Sequence, residues 1–157
     1  MNIKKIIIIL SFFLLMGCGY ESIYSKKKLE KNYNFSINSI EFEESNEINQ
    51  MLQNNLKMFI NLKNKLKLLN LKIKSSTART TVSKNKKGNA ERYLIEVNVN
   101  VNVFENEILK KQFIFKESFN YNSQTNKFNL NQYEKNIKEN LISKISDDII
   151  LVLYSLQ

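Results

Sequence analysis

Hydrophobic and polar positions alternate most regularly from Ile95 to Val103, where Ile95, Val97, Val99, Val101 and Val103 are separated by Glu96, Asn98, Asn100 and Asn102. A period of two over that length predicts a strand with one buried and one wet face, and it excludes a strand sandwiched between two helical layers. Glu105-Asn106 is read as a tight turn, because asparagine tolerates the left-handed conformation better than most residues. A partner strand over Ile108 to Asn122 follows, with Phe113, Phe115, Phe119 and Tyr121 on one side and Gln112, Lys116 and Ser118 on the other. Upstream, Leu69, Leu71 and Ile73 alternate with Asn70, Lys72 and Lys74 in a long β-prone stretch from Leu66 to Ser83. A lysine-rich turn around Gly88 closes it. The first strand is expected over Tyr33 to Glu43, with Phe35, Ile37 and Ser39 facing one way and a change of register before Ile40 and Phe42.

Two segments have helical spacing instead. Ser45 is the expected cap of the first, in which Ile48, Met51, Leu52, Leu56, Phe59 and Ile60 form one apolar stripe. A polar connection is read over Ser123 to Leu130, and a long helix opens near Asn131. Tyr133, Ile137, Leu141, Ile145, Ile149 and Val152 step along its buried face, widened by Ile142, Ile150 and Leu153. The order is β-α-β-β-β-α. The economical packing is an α+β fold in two layers, a mostly antiparallel four-stranded sheet covered on one face by two helices.

The start of the chain has a different character. Met1 to Lys5 is short and positive, and Ile6 to Met16 is apolar. That run is roughly half the ~20 residues of a spanning helix, so it reads as a cleaved secretory signal. It ends at Leu15-Met16-Gly17-Cys18, which resembles the bacterial lipobox, with Met16 standing where a small residue is usual. The resemblance implies cleavage after Gly17 and a lipid on Cys18, which becomes the first residue of the mature chain. The other reading is an ordinary signal followed by an inert thiol. Cys18 is the only cysteine and cannot form an internal disulfide. Gly19 follows it, and by resemblance to bacterial sorting rules the absence of aspartate there implies the outer membrane, facing the periplasm. Three parts result: a signal peptide over 1–17, a lipidated tether over 18–32 and one α+β domain over 33–157.

Composition narrows the chemistry. Of 157 residues 43% are hydrophobic, which fits one globular domain. The formal charge is +9, and removing Lys4 and Lys5 with the leader leaves +7. A basic surface suits an anionic partner, and an exported chain argues against nucleic acid. Abundant lysine, asparagine and isoleucine is also what AT-rich coding would produce, so the charge has a second, compositional reading. With no histidine, Ser-His-Asp and Cys-His chemistry and the commonest metal ligand are missing. Glycines at 17, 19 and 88 alone leave no glycine-rich phosphate loop. Glu43-Glu44 and Asp147-Asp148 are neighbours in sequence, so each pair points in different directions and does not face one bond. No enzymatic activity, metal or cofactor is expected.

Taken in order, four features carry a family resemblance: the start Leu15-Met16-Gly17-Cys18-Gly19-Tyr20, the six-element order, Phe119-Asn120-Tyr121-Asn122 at the end of the last strand, and the closing run Leu141-Ile142-Ser143-Lys144-Ile145-Ser146-Asp147-Asp148-Ile149. Together they resemble the LptE family, outer-membrane lipoproteins that partner the LptD barrel in placing lipopolysaccharide in the outer leaflet. The resemblance implies a plug and assembly partner inside a β-barrel, held to the outer membrane by its lipid anchor. Only Cys18 transfers as a functional residue. A face bearing Asn98, Asn100 and Asn102 suits a polar barrel lumen, and equally plain water. For the anionic lipopolysaccharide that the family is thought to contact, the candidates are Arg79, Lys84, Lys86, Lys87 and Arg92 around the Gly88 hairpin, with Lys110 and Lys111 at the next strand. A solvated hairpin tip is the alternative for each lysine. Other function classes remain open: an interaction lipoprotein of another envelope machine (a secretion system or an ABC-type lipid transporter), an anchored envelope hydrolase, and a soluble lipid carrier with an internal cavity.

Overall fold

Val97, Val99, Val101 and Val103 are completely buried, while the asparagines between them stay partly accessible. The alternation thus places one face of the strand in a core and the other toward solvent. The computed structural model describes residues 33–44 and 46–156. The leader, the Cys18 motif, the tether and the Ser45 cap lie outside the described residues.

Four strands form one sheet in the order β1-β2-β3-β4. They are β1 (Phe35–Phe42), β2 (Lys67–Lys84), β3 (Ala90–Glu105) and β4 (Ile108–Asn122). The consecutive strands β2, β3 and β4 pair antiparallel, and β1 pairs parallel with β2. A parallel pair needs a crossover, supplied here by helix α1 (Glu47–Leu56) and a 3₁₀ turn at Lys57–Phe59. Helix α2 (Lys127–Ser155) completes the layer over the buried face. The α+β order and the single helical layer are those the periodicity predicts.

The change of register in β1 is a bulge between Ile37 and Ser39. It lets Ile37, Ile40 and Phe42 align in turn with Leu69, Leu71 and Ile73, all on the core face. Without the extra residue the last two side chains would point to the wet face. Ser39 does not share the side of Phe35 and Ile37, as the sequence suggested. It pairs with Asn70 on the wet face and donates its hydroxyl to Asn70 Oδ1 at 2.8 Å.

Three boundaries also differ from expectation. The cap of α1 is Asn46, whose Oδ1 accepts from the Asn49 N–H at 2.9 Å. The α-helical part of the first apolar stripe ends at Leu56. Ile60 is extended and bridges Ile37, and the Asn61 N–H donates to the Ile37 carbonyl at 2.9 Å. The break comes at Asn61, which takes a left-handed φ of 55°. Finally, α2 begins at Lys127, not near Asn131, because Asn126 Oδ1 accepts from the Phe128 and Asn129 N–H groups at 2.9 and 3.1 Å. Leu130 is already buried in the first turn.

At 29 residues α2 is about 43 Å long, enough to cover most of the 16-residue β3. Ile142, Ile145, Ile149 and Leu153 are buried to 0% exposure against the core that the β3 valines share. The helix ends where the chain enters the domain. The rings of Tyr33 and Tyr154 meet edge-on at 5.7 Å, and Lys67 Nζ donates to the Leu156 carbonyl. This entry end also holds the β3–β4 turn, centred on Asn106 and Glu107 at φ 49° and 64°, one residue later than Glu105-Asn106. The far end holds the β2–β3 turn, where Gly88 takes φ 82° and its N–H donates to the Asn85 carbonyl at 2.9 Å.

Candidate functional site

Three surfaces carry polar or charged chemistry, and the register decides which residues share each one. The first is the wet sheet face. Asn98, Asn100 and Asn102 of β3 lie between Ser76, Lys74 and Lys72 of β2 and Lys116, Ile114 and Gln112 of β4. Glu96 is held by Lys116 at 2.8 Å and accepts from Asn98 Nδ2 at 3.1 Å, and these two hydrogen bonds hold its carboxyl below the usual range. Lys72 and Lys74 lie 3.8 and 3.5 Å from Glu41 and Glu43 of the neighbouring strand end. Asn102 Oδ1 is buried and without a partner among the described residues. The face is therefore polar, locally charge-balanced and centred on asparagine amides that can donate or accept.

The second surface is the far hairpin. Lys84 ends β2, Lys86 and Lys87 occupy the turn, and Arg92 lies near the start of β3. The turn is rigid for its size, because Asn85 Oδ1 accepts from the Lys87 and Asn89 N–H groups, both at 3.0 Å. Among the described residues none of these four cations has a carboxylate within salt-bridge distance. They form one exposed basic tip.

Arg79 belongs to the same hairpin but is used differently. It sits on the helix-covered face, opposite Ile95, where α1 no longer reaches. Its guanidinium carbon lies 3.8 Å from the centroid of the Tyr93 ring, and Nε donates to Glu134 Oε1 at 2.9 Å and to the Tyr121 hydroxyl at 3.2 Å. Tyr121 in turn contacts Tyr93 and Tyr133, with ring centroids 5.6 and 6.0 Å apart. This network ties the first half of α2 to the far part of the sheet. Burial, with the hydrogen bond to Glu134 added, pushes the Tyr121 phenol up to about 12.

Lys110 and Lys111 are not part of the basic tip. They start β4 beside the Asn106–Glu107 turn, and Lys111 is aligned with Val103. Thirteen residues of β3 separate Val103 from Ala90 at the tip, on the order of 45 Å of extended chain. Lys110 pairs with Glu105 at 3.3 Å, and Lys111 lies over the Phe113 ring at 5.8 Å. The seven cations singled out in the sequence thus fall into three places. Four are at the tip, one is inside a network with α2, and two are at the opposite end.

The third surface is an open groove of about 550 Å³ between α1 and α2, lined among others by Tyr33, Asn55, Met58, Phe59, Ser146 and Asp147. Asn55 Nδ2 donates to Ser146 Oγ at 3.2 Å and links the two helices. Among the described residues Asp147 is the single carboxylate on its walls, with no second carboxyl facing it.

Sequence reading overlooked the Arg79–Tyr93–Tyr121–Glu134 network. Its one visible signal was an arginine at an inward position of an otherwise Ser/Thr-rich strand segment.

No family model matches the chain, and no curated protein matches it by sequence. Solved structures do share the fold. Rare lipoprotein B from Shewanella oneidensis superimposes with a TM-score of 0.61 at 15% identity, over 77% of this chain and 96% of that one. Lipoprotein B from Nitrosomonas europaea matches with a TM-score of 0.57 at 7% identity, over 79% of this chain and 85% of its own. A minor lipoprotein from Acinetobacter baumannii gives 0.53 at 16% identity, over 74% and 87%.

Proposed function

We propose that this chain is an outer-membrane lipoprotein, anchored on the periplasmic side through Cys18, that partners and plugs an LptD-like β-barrel of the lipopolysaccharide translocon. It acts by binding, not by catalysis. The observation that carries the reading is a conjunction. A lipobox precedes a domain whose fold spans 96% of the length of a rare lipoprotein B.

The geometry supports a plug in two ways. The sheet exposes one whole face whose centre is uncharged amide, which suits a polar lumen. Strands β2, β3 and β4, of 15 to 18 residues, are also long, at about 50 to 60 Å, so the domain is elongated enough to enter a barrel end-on. Lipopolysaccharide phosphates would meet the basic tip of Lys84, Lys86, Lys87 and Arg92, four cations that have no carboxylate within salt-bridge distance among the described residues.

Co-purification from detergent-solubilised envelopes tests the reading. A stable stoichiometric complex with an outer-membrane barrel is the expected result. A complex with inner-membrane components would overturn it and favour an interaction lipoprotein of a secretion system or an ABC-type lipid transporter.

A further inference from the structure

We infer that the entry end of the domain is a membrane-contact surface, which seats against an anionic bilayer beside the lipid anchor. The inference rests on the lipoprotein reading of Cys18 and adds an orientation to it.

Four large apolar side chains are exposed at this end. Leu66 is 87% exposed, Leu68 52%, Ile108 62% and Leu109 53%. They are close to one another because of the register. Leu109 pairs with Phe104 across the β3–β4 turn, and Phe104 is aligned with Asn70, two residues from Leu68 on the same wet face. Leu68 and Leu109 therefore lie across the single strand β3, two residues out of line and about 12 Å apart. Of the other exposed apolar residues, Val82 and Ile114 stand on different strands, Phe128 opens α2, and Leu151 and Tyr154 lie one turn apart near the end of α2, toward the entry end.

The charge around the patch has one sign in excess. Residues 61–69 and 104–111 carry Lys63, Lys65, Lys67, Lys110 and Lys111 against Glu105 and Glu107. Apolar side chains rimmed by lysines are what an interfacial contact with anionic lipid requires, with the apolar groups entering the headgroup boundary and the cations meeting phosphate. Long lysine side chains can lie along such a boundary with the ammonium in water.

The occupant follows from where the chain leaves the domain. Tyr33 and Asn34 lie at this end, and the Asn34 carbonyl accepts from the Lys67 N–H at 3.2 Å. Cys18 lies fifteen residues upstream, so covalent geometry keeps its lipid within about 50 Å of Tyr33. Lys26, Lys27, Lys28 and Lys31 fall within that interval. A bilayer holding the anchor is thus reached by the shortest path at the entry end, where leucines and lysines are presented together. Lys110 and Lys111 then face lipid headgroups at this end, apart from the basic tip.

The absence of tryptophan makes the test direct. The lipidated full chain carrying Leu109→Trp, and separately Phe128→Trp at the far end, is reconstituted in vesicles of phosphatidylethanolamine and phosphatidylglycerol containing a dibrominated lipid. The expected result is a blue-shifted, strongly quenched Leu109→Trp and an unshifted, unquenched Phe128→Trp. Adding Lys111→Glu, or omitting phosphatidylglycerol, should weaken the quenching of Leu109→Trp. No quenching of Leu109→Trp, or equal quenching at both positions, overturns the inference. So does a blue shift that needs no vesicles and grows with protein concentration, because a second copy would then cover the patch. The intact mass separates the two readings. A lipidated chain with a silent Leu109→Trp fails here alone, and a chain without lipid on Cys18 sinks the anchor reading too.

Discussion

Tyr121 donates its hydroxyl to Glu134 Oε1 at 2.7 Å, joining the end of β4 to the second turn of α2. The phenol is held protonated in the folded state to about pH 12, whereas an ordinary tyrosine titrates near 10. Burial is the main cause and the bond to Glu134 the next. The folded state therefore keeps a proton that the unfolded chain loses first. This contribution to stability is complete below pH 10 and disappears as the pH rises toward about 12. Denaturant titrations across that window should show falling stability in the native chain and a flatter profile in Tyr121→Phe.

Glu107 occupies the left-handed region at φ 64°, beside Asn106 at 49°. Two consecutive residues of this kind form the turn for which Asn-Gly is the preferred pair. Glu107→Gly should therefore stabilise the domain by about 1 kcal/mol, read as a higher urea midpoint at unchanged slope. A lower midpoint would mean that the Glu107 side chain contributes more than its backbone costs.

The cap of α2 offers a second measure of local energetics. Asn126 satisfies two N–H groups of the first turn, so Asn126→Ala should cost about 1 kcal/mol. Asn126→Ser or Asn126→Asp should restore most of it. Rescue by those variants separates capping from a general effect of the substitution.

For the basic tip the expected outcome is a loss of binding without a loss of fold. Reversing charge at Lys86, Lys87 and Arg92 together should weaken lipopolysaccharide capture by roughly tenfold, taking about 0.5 kcal/mol per exposed charge. Lys135→Glu, on the exposed side of α2, should leave that capture unchanged. Equal losses from both would show a diffuse charge effect instead of a site.

Cys18→Ser should abolish metabolic labelling by fatty acid and leave the chain unprocessed at Gly17. Persistent label on the variant would place the lipid elsewhere and end the anchor reading.

How much of this was legible beforehand depends on the range over which each signal acts. Val97 to Val103 announced their face because alternation is a local property of a strand. The bulge at Ile37–Ser39 was visible for the same reason, as two apolar runs out of phase. The parallel pairing of β1 with β2 was not legible, because periodicity fixes which face a residue takes and is silent on strand direction. The start of α2 was missed because Asn126 can end a loop or cap a helix with equal ease, and Leu130 alone gives no period. Grouping Lys110 and Lys111 with the Gly88 hairpin overlooked a simple geometric fact. In an antiparallel meander successive turns lie at opposite ends, and strands this long hold them far apart. The Arg79 network was out of reach, since it needs the β2–β3 register and the path of α2 at once.

The order of the elements has a consequence in time. β2, β3 and β4 are consecutive in the chain and adjacent in space, so the meander can form from neighbouring segments as they become available. The side chains that cover its valines, Ile142, Ile145 and Ile149, belong to α2, which follows the meander in the chain. Until that segment arrives, the inner face of the sheet has no lid and remains an exposed, aggregation-prone surface. A chain built this way cannot close its core before α2 has docked on the sheet.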